Sequence, residues 1–113
     1  MPIMDAGVSE DLVFAALASP VRRAVLRSLR DGGPQPVSEL AVSFDMARPS
    51  FSEHLRVLRE AGLVSDRKAG RQRFYQLEAA PLQGVEGWLT PFEKFWRERM
   101  VDLRDVLDRM DDD

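Results

Sequence analysis

Residues 37–77 read VSELAVSFDMARPSFSEHLRVLREAGLVSDRKAGRQRFYQL, and this stretch decides the fold. Phe51, Leu55 and Leu58 stand at i, i+4 and i+7, the spacing of one buried helix face. Pro49 suits the first turn of that helix and Gly62 its far end, which predicts a helix over 48–61. A shorter helix is expected over 38–44, and Asp45-Met46-Ala47 is a turn of the length that joins the two halves of a helix-turn-helix. After Gly62 the pattern changes. Leu63 to Asp66 and Gln72 to Leu77 read as strands, with 67–71 as a basic hairpin tip.

Upstream, Ser9 is a candidate N-cap for a helix that carries Leu12, Val13, Ala16 and Leu17. Ser19-Pro20 stops it and opens another, with Val21, Ala24, Val25 and Leu29 as its apolar stripe and Asp31-Gly32-Gly33-Pro34 as its end. Residues 1–8 read as a loose arm. Downstream, a short helix over 82–89 is followed by Thr90-Pro91-Phe92-Glu93, a cap, a first-turn proline and a capping-box glutamate that predict a fresh helix start. From there Phe92, Trp96, Met100, Leu103, Leu107 and Met110 follow the alternating steps of an a/d seam. Residues 111–113 read as a frayed acidic tail.

Charge divides the chain. The net charge is −3, yet residues 46–77 carry seven Arg or Lys against three acids, while residues 78–113 carry five against ten. A positive middle and a negative tail imply two tasks, with anions meeting the middle. The helix over 48–61 turns Ser50, Glu53, Arg56 and Val57 away from its apolar stripe, with Ser52 and His54 at the flanks. A major groove about 12 Å wide admits one such helix. Arg48 and Arg56 suit phosphate or guanine, and a ribbon with Arg67, Lys68, Arg71 and Arg73 suits the DNA backbone or minor groove.

The runs SPVRRAVL, VSELA, SEHLRVLREAGLV and GRQRFYQL together resemble ArsR-type winged helix-turn-helix regulators, over about residues 10–110. The resemblance implies a mainly α fold with a small β-hairpin, paired through the first and last helices. It implies a helix-turn-helix over 38–61, a wing over 63–77 and dimerisation helices over 82–110, within one domain spanning 9–110. It further implies DNA contacts from Arg48, Pro49, Ser50, Ser52, Glu53, His54, Arg56, Arg67, Lys68, Arg71 and Arg73. The homodimer interface would hold Phe14, Leu17, Phe92, Trp96, Met100, Leu103 and Leu107. Three positions depart from the family pattern. Asp45 stands where the family often has a turn glycine, whose left-handed conformation Asp tolerates better than most residues. Ala47 replaces a capping Ser or Thr, and Glu53 replaces a basic or neutral side chain.

The family's thiolate metal site falls on Pro36-Val37-Ser38, and the chain has no cysteine, so no cofactor is expected. A nickel or zinc inducer would have to use Glu98, Asp102, Asp105 and Asp108 of the last helix, which otherwise pair with Arg97, Arg99, Arg104 and Arg109. One histidine, no cysteine and no Gly-rich phosphate loop leave no nucleophile set, so the chain is not read as an enzyme. No stretch approaches the roughly 20 apolar residues that span a bilayer, and residues 1–8 lack a signal-peptide pattern. The expectation is a cytoplasmic repressor that binds a pseudo-palindromic operator on double-stranded DNA. The competing expectation is a winged-helix module that binds a protein partner through its acidic last helix.

Overall fold

The computed structural model describes residues 9–111, so the arm expected over 1–8 and the last two residues of the acidic tail lie outside it. Five helices and three short strands follow in the order α1 (Glu10–Leu17), α2 (Pro20–Gly32), β1 (Gln35–Pro36), α3 (Val37–Val42), α4 (Arg48–Glu60), β2 (Val64–Ala69), β3 (Gln72–Leu77) and α5 (Leu82–Asp111). The contacts divide into two compact units that meet at residues 83 and 84.

Local chemistry sets the boundaries of the first unit. The Ser9 hydroxyl accepts from the Asp11 amide at 3.1 Å, and Ser19 accepts from the Arg22 amide at 3.3 Å, each taking up an amide that the first helical turn leaves unpaired. Gly33, at φ 73°, closes α2. Gly62, at φ 74°, closes α4: its amide donates to the Arg59 carbonyl at 2.9 Å and the Leu63 amide to the Leu58 carbonyl at 3.0 Å. That reciprocal pair is a Schellman motif, and it sends the chain straight into β2. Leu58 and Leu63, which the motif brings together, are fully buried.

The core is built from one stripe per element. Val13 and Ala16 of α1, Val25, Leu26 and Leu29 of α2, Leu40 of α3, and Phe51, Leu55 and Leu58 of α4 are all buried, as are Val64 and Tyr75 of the sheet. Removing a side chain of this size from water contributes about 1.5–3 kcal/mol. The Phe44 and Phe51 rings meet at 5.1 Å across the turn between α3 and α4, which fixes the angle at which α4 leaves it.

Four readings of the sequence need correction. First, the sheet has three antiparallel strands in the order β1-β3-β2, because Gln35 and Pro36 pair with Tyr75 and Phe74. Secondly, the hairpin tip is not 67–71 but Gly70-Arg71. The ladder runs on to Ala69↔Gln72, and Gly70 at φ 64° supplies the positive φ of a two-residue II′ turn. Arg67 and Lys68 are therefore strand residues on opposite faces. Thirdly, among the described residues no side chain other than hydrogen has positive φ, so Asp45 does not take the left-handed conformation. Finally, α5 does not restart at Thr90. It runs unbroken for 30 residues with Pro91 inside it. Pro91 removes the amide that would bond the Gly87 carbonyl, but Gly87 is exposed, so water can pair the freed carbonyl. The Thr90 hydroxyl donates back to the Glu86 carbonyl at 2.8 Å instead of capping.

The second unit is this helix from residue 84 onward. No residue of α5 is buried. Trp88, Phe92, Phe95, Trp96, Met100, Val101, Leu103, Val106, Leu107 and Met110 are each 44% exposed or more. No helix among the described residues is long and apolar enough to cross a membrane.

Candidate nucleic-acid interface

The elements of the first unit bring α4 and the hairpin to opposite sides of one open groove of about 890 Å³. Pro49, Ser52, Glu53, Arg56 and Arg59 line it from α4, and Asp66, Arg73 and Tyr75 from the sheet. The placement follows from registry. Burying Phe51, Leu55 and Leu58 leaves Glu53 and Arg56 exposed. Burying Tyr75 carries Arg73 to the same face of β3, since alternate strand residues share a face.

The cations of this surface fall into two classes. Some are already paired. The Arg56 guanidinium donates to both carboxylate oxygens of Glu53 and also to Glu60. Arg73 donates to Asp66, whose Cα partner is Tyr75, so the pair runs diagonally across the ladder. Hydrogen bonds from Arg56 hold the Glu53 carboxyl below its usual range, and the same bonds raise the Arg56 guanidinium. Three others lack an acidic partner. Among the described residues Arg48, Lys68 and Arg71 are exposed and have no carboxylate within salt-bridge distance. Arg67 stacks over the Phe74 ring at 5.5 Å, directly opposite it in the ladder. Ser50 and Ser52 are exposed on α4.

Ala47 caps α4 without a side-chain bond, as its missing hydroxyl implies. A capping Ser or Thr contributes about 0.5–2 kcal/mol, so the α4 N-terminus keeps amides for another acceptor.

His54 sits elsewhere. It is half-buried, does not line the groove, and its Nδ1 lies 3.1 Å from Nη1 of Arg22. Because the guanidinium only donates, Nδ1 accepts, and the ring proton belongs on Nε2. The same Arg22 donates to the Ala16 carbonyl at 2.8 Å and the Ala15 carbonyl at 3.0 Å. One side chain thus ties the end of α1 to α4. Sequence reasoning missed Arg22, which lies 32 positions from His54. It also missed Arg59, which donates to the Tyr75 hydroxyl at 2.6 Å and closes the floor of the groove. The spacing of Arg59 from Ser52 and Arg56 along α4 was the available signal.

Phe14 and Leu17, expected at the dimer interface, are half-buried on α1, and Phe92, Trp96, Met100, Leu103 and Leu107 are exposed on α5. The donor set does not suit a thiolate-bound metal, with Pro36, Val37 and Ser38 where sulfur would be needed. Among the described residues of this one chain no group of three His, Cys, Asp or Glu is placed to hold an ion.

Comparison with known proteins agrees with this geometry. A family model described as a helix-turn-helix domain matches residues 17–67. The HTH-type transcriptional regulator Rv2034 of Mycobacterium tuberculosis is 38% identical over 105 residues, which are 93% of this chain and 94% of that protein. The transcriptional repressor SdpR of Bacillus subtilis is 35% identical over 80 residues, 71% of this chain and 88% of its own. The crystal structure of an ArsR family transcriptional regulator, RHA00566, superposes with a TM-score of 0.69 at 45% identity, covering 77% of this chain and 89% of that one.

Proposed function

The chain belongs to the ArsR-type family of helix-turn-helix transcriptional regulators, and from that premise we propose that it is a homodimeric repressor that reads a pseudo-palindromic operator. It is a DNA-binding regulator and not an enzyme. The observation that carries the operator reading is the shared groove: the exposed side of α4 and the inner face of the hairpin line one concavity. In this reading α4 enters the major groove with Ser50, Ser52 and Glu53 toward base edges. Arg48 and the α4 N-terminus take phosphate, as an uncapped helix start favours. Lys68 and Arg71 on the hairpin neutralise the flanking backbone, with Arg67 beside them. Arg56 and Arg73 orient their carboxylate partners first, and His54 acts through the position of α4.

The bare seam of α5 supports the homodimer. A 30-residue helix with no buried residue and ten large apolar side chains exposed presents the kind of apolar surface that marks an association face. A second copy offers the same seam, and a two-fold pairing would set two copies of α4 about 34 Å apart along a duplex. Repression is the activity named for the Bacillus subtilis relative, and the reading extends it to this chain, acting in the cytoplasm.

Titration of the protein against promoter fragments across a salt series tests the proposal. Retention should weaken steeply with salt, and replacing Arg71 and Arg73 by alanine should weaken it on all sequences and flatten the salt slope. No retained fragment at low salt would favour the protein-partner reading instead.

A further inference from the structure

We propose that Glu53 is the specificity-determining residue of α4 and selects a cytosine in each operator half-site, with Arg56 as the positioning residue that holds its carboxylate. The proposal rests on the operator reading above and refines it.

Position comes first. Residues advance about 100° per step around an α-helix. Glu53 is two steps from Phe51 and two from Leu55, both buried, so it projects roughly opposite the core. Its side chain is 59% exposed and borders the groove. A side chain there meets whatever α4 docks against.

Its chemistry then narrows the partner. The carboxylate accepts from Nε of Arg56 at 3.0 Å through Oε1 and from Nη2 through Oε2, and the guanidinium is further tied to Glu60. Two acids and one base leave this cluster one negative charge in excess. It has nothing to offer a phosphate, which is itself an acceptor and an anion. Each Glu53 oxygen retains a second lone pair, so the fixed carboxylate is a rigid acceptor. The Arg56 bonds also hold its carboxyl below the usual range.

In the major groove the four bases answer an acceptor differently. Guanine shows N7 and O6, and thymine shows O4 and a methyl group, so neither donates. Adenine donates from N6, but its N7 acceptor lies beside that donor and repels a carboxylate. Cytosine alone offers the N4 amine without a neighbouring acceptor on the same base.

The test is enrichment of random duplexes by the full chain and by two variants. The wild-type protein should enrich a cytosine at one position of each half-site, and any other base there should weaken binding roughly tenfold. Glu53→Gln should lose that preference and accept adenine, whose N6 and N7 match a carboxamide. Glu60→Gln removes the same charge from the same arginine and should keep the cytosine. A base-side measurement avoids mutation altogether: N4-methylcytosine at the selected position should weaken wild-type binding by a similar factor. Unchanged preferences in Glu53→Gln, or full affinity for the methylated duplex, would overturn the assignment while leaving the operator reading intact. If the wild-type protein enriched no duplex at low salt, the operator reading would fail, and the assignment with it.

Discussion

The α4 helix and the α5 helix carry similar apolar periodicity and meet opposite fates. In α4 the residues at i, i+4 and i+7 are 1%, 2% and 0% exposed, whereas in α5 every residue of the seam remains open to solvent. Periodicity marks the face a helix will bury. What it buries that face against depends on whether the chain supplies a partner. Residues 9–83 supply one for α4, with stripes from α1, α2, α3 and the sheet. The homodimer reading supplies the other from a second copy.

The largest effect that would sharpen this contrast is expected in α4. Leu55→Ala should lower unfolding stability by about 2–5 kcal/mol, measured by denaturant titration, because it leaves a cavity in a closed core. A cost below 1 kcal/mol would mean that the core is looser than its burial implies. The counterpart in α5 is Leu103→Asp. It should leave the helical signal of residues 9–83 in place while halving the mass seen in sedimentation, and it should cost about 100-fold or more in operator affinity through the lost second half-site. A mass unchanged from wild type would break the comparison.

Smaller effects separate the paired cations from the free ones. Arg71→Ala should reduce the slope of log affinity against log salt by about one, since an unpaired arginine releases a counterion on binding. Arg73→Ala should change it less, because Asp66 already answers that charge. Equal losses would place both arginines on phosphate.

The smallest effect concerns Glu78. It accepts from the Ser65 hydroxyl at 2.6 Å and from the Gln76 amide at 2.9 Å, and these bonds, Gln76 first, hold its carboxyl below the usual range. A folded-state value depressed in this way adds stability above the unfolded value and loses it as the pH falls through the folded one. The melting temperature of wild-type protein should therefore fall more on acidification than that of Glu78→Gln. Parallel curves would show that the bonds do not persist in solution.

Much of this was legible because it is local. Ser9, Ser19-Pro20, Gly33 and Gly62 act within a few residues of themselves, and the α4 stripe declares its own face. Features that depend on distant residues were not. Two residues, Gln35 and Pro36, become a strand only by lying against Tyr75 and Phe74. His54 reads as a DNA contact in the sequence, and only the fold brings Arg22, 32 positions away, to its Nδ1. Thr90-Pro91 carries the same letters whether a helix begins there or passes through. The exposed turn before it, where water can pair the carbonyl that Pro91 leaves free, lets it pass. In the groove, strand alternation places Arg73 and Tyr75 on one face, but the diagonal pairing to Asp66 depends on the register.

In the proposed dimer, two copies of α4 and the hairpin engage one face of a duplex. Hydroxyl-radical footprinting on an enriched fragment measures this directly. Two protected patches about one helical turn apart on the same face, both lost in Leu103→Asp, are the expected result. A single patch, or two that survive that substitution unchanged, would contradict it.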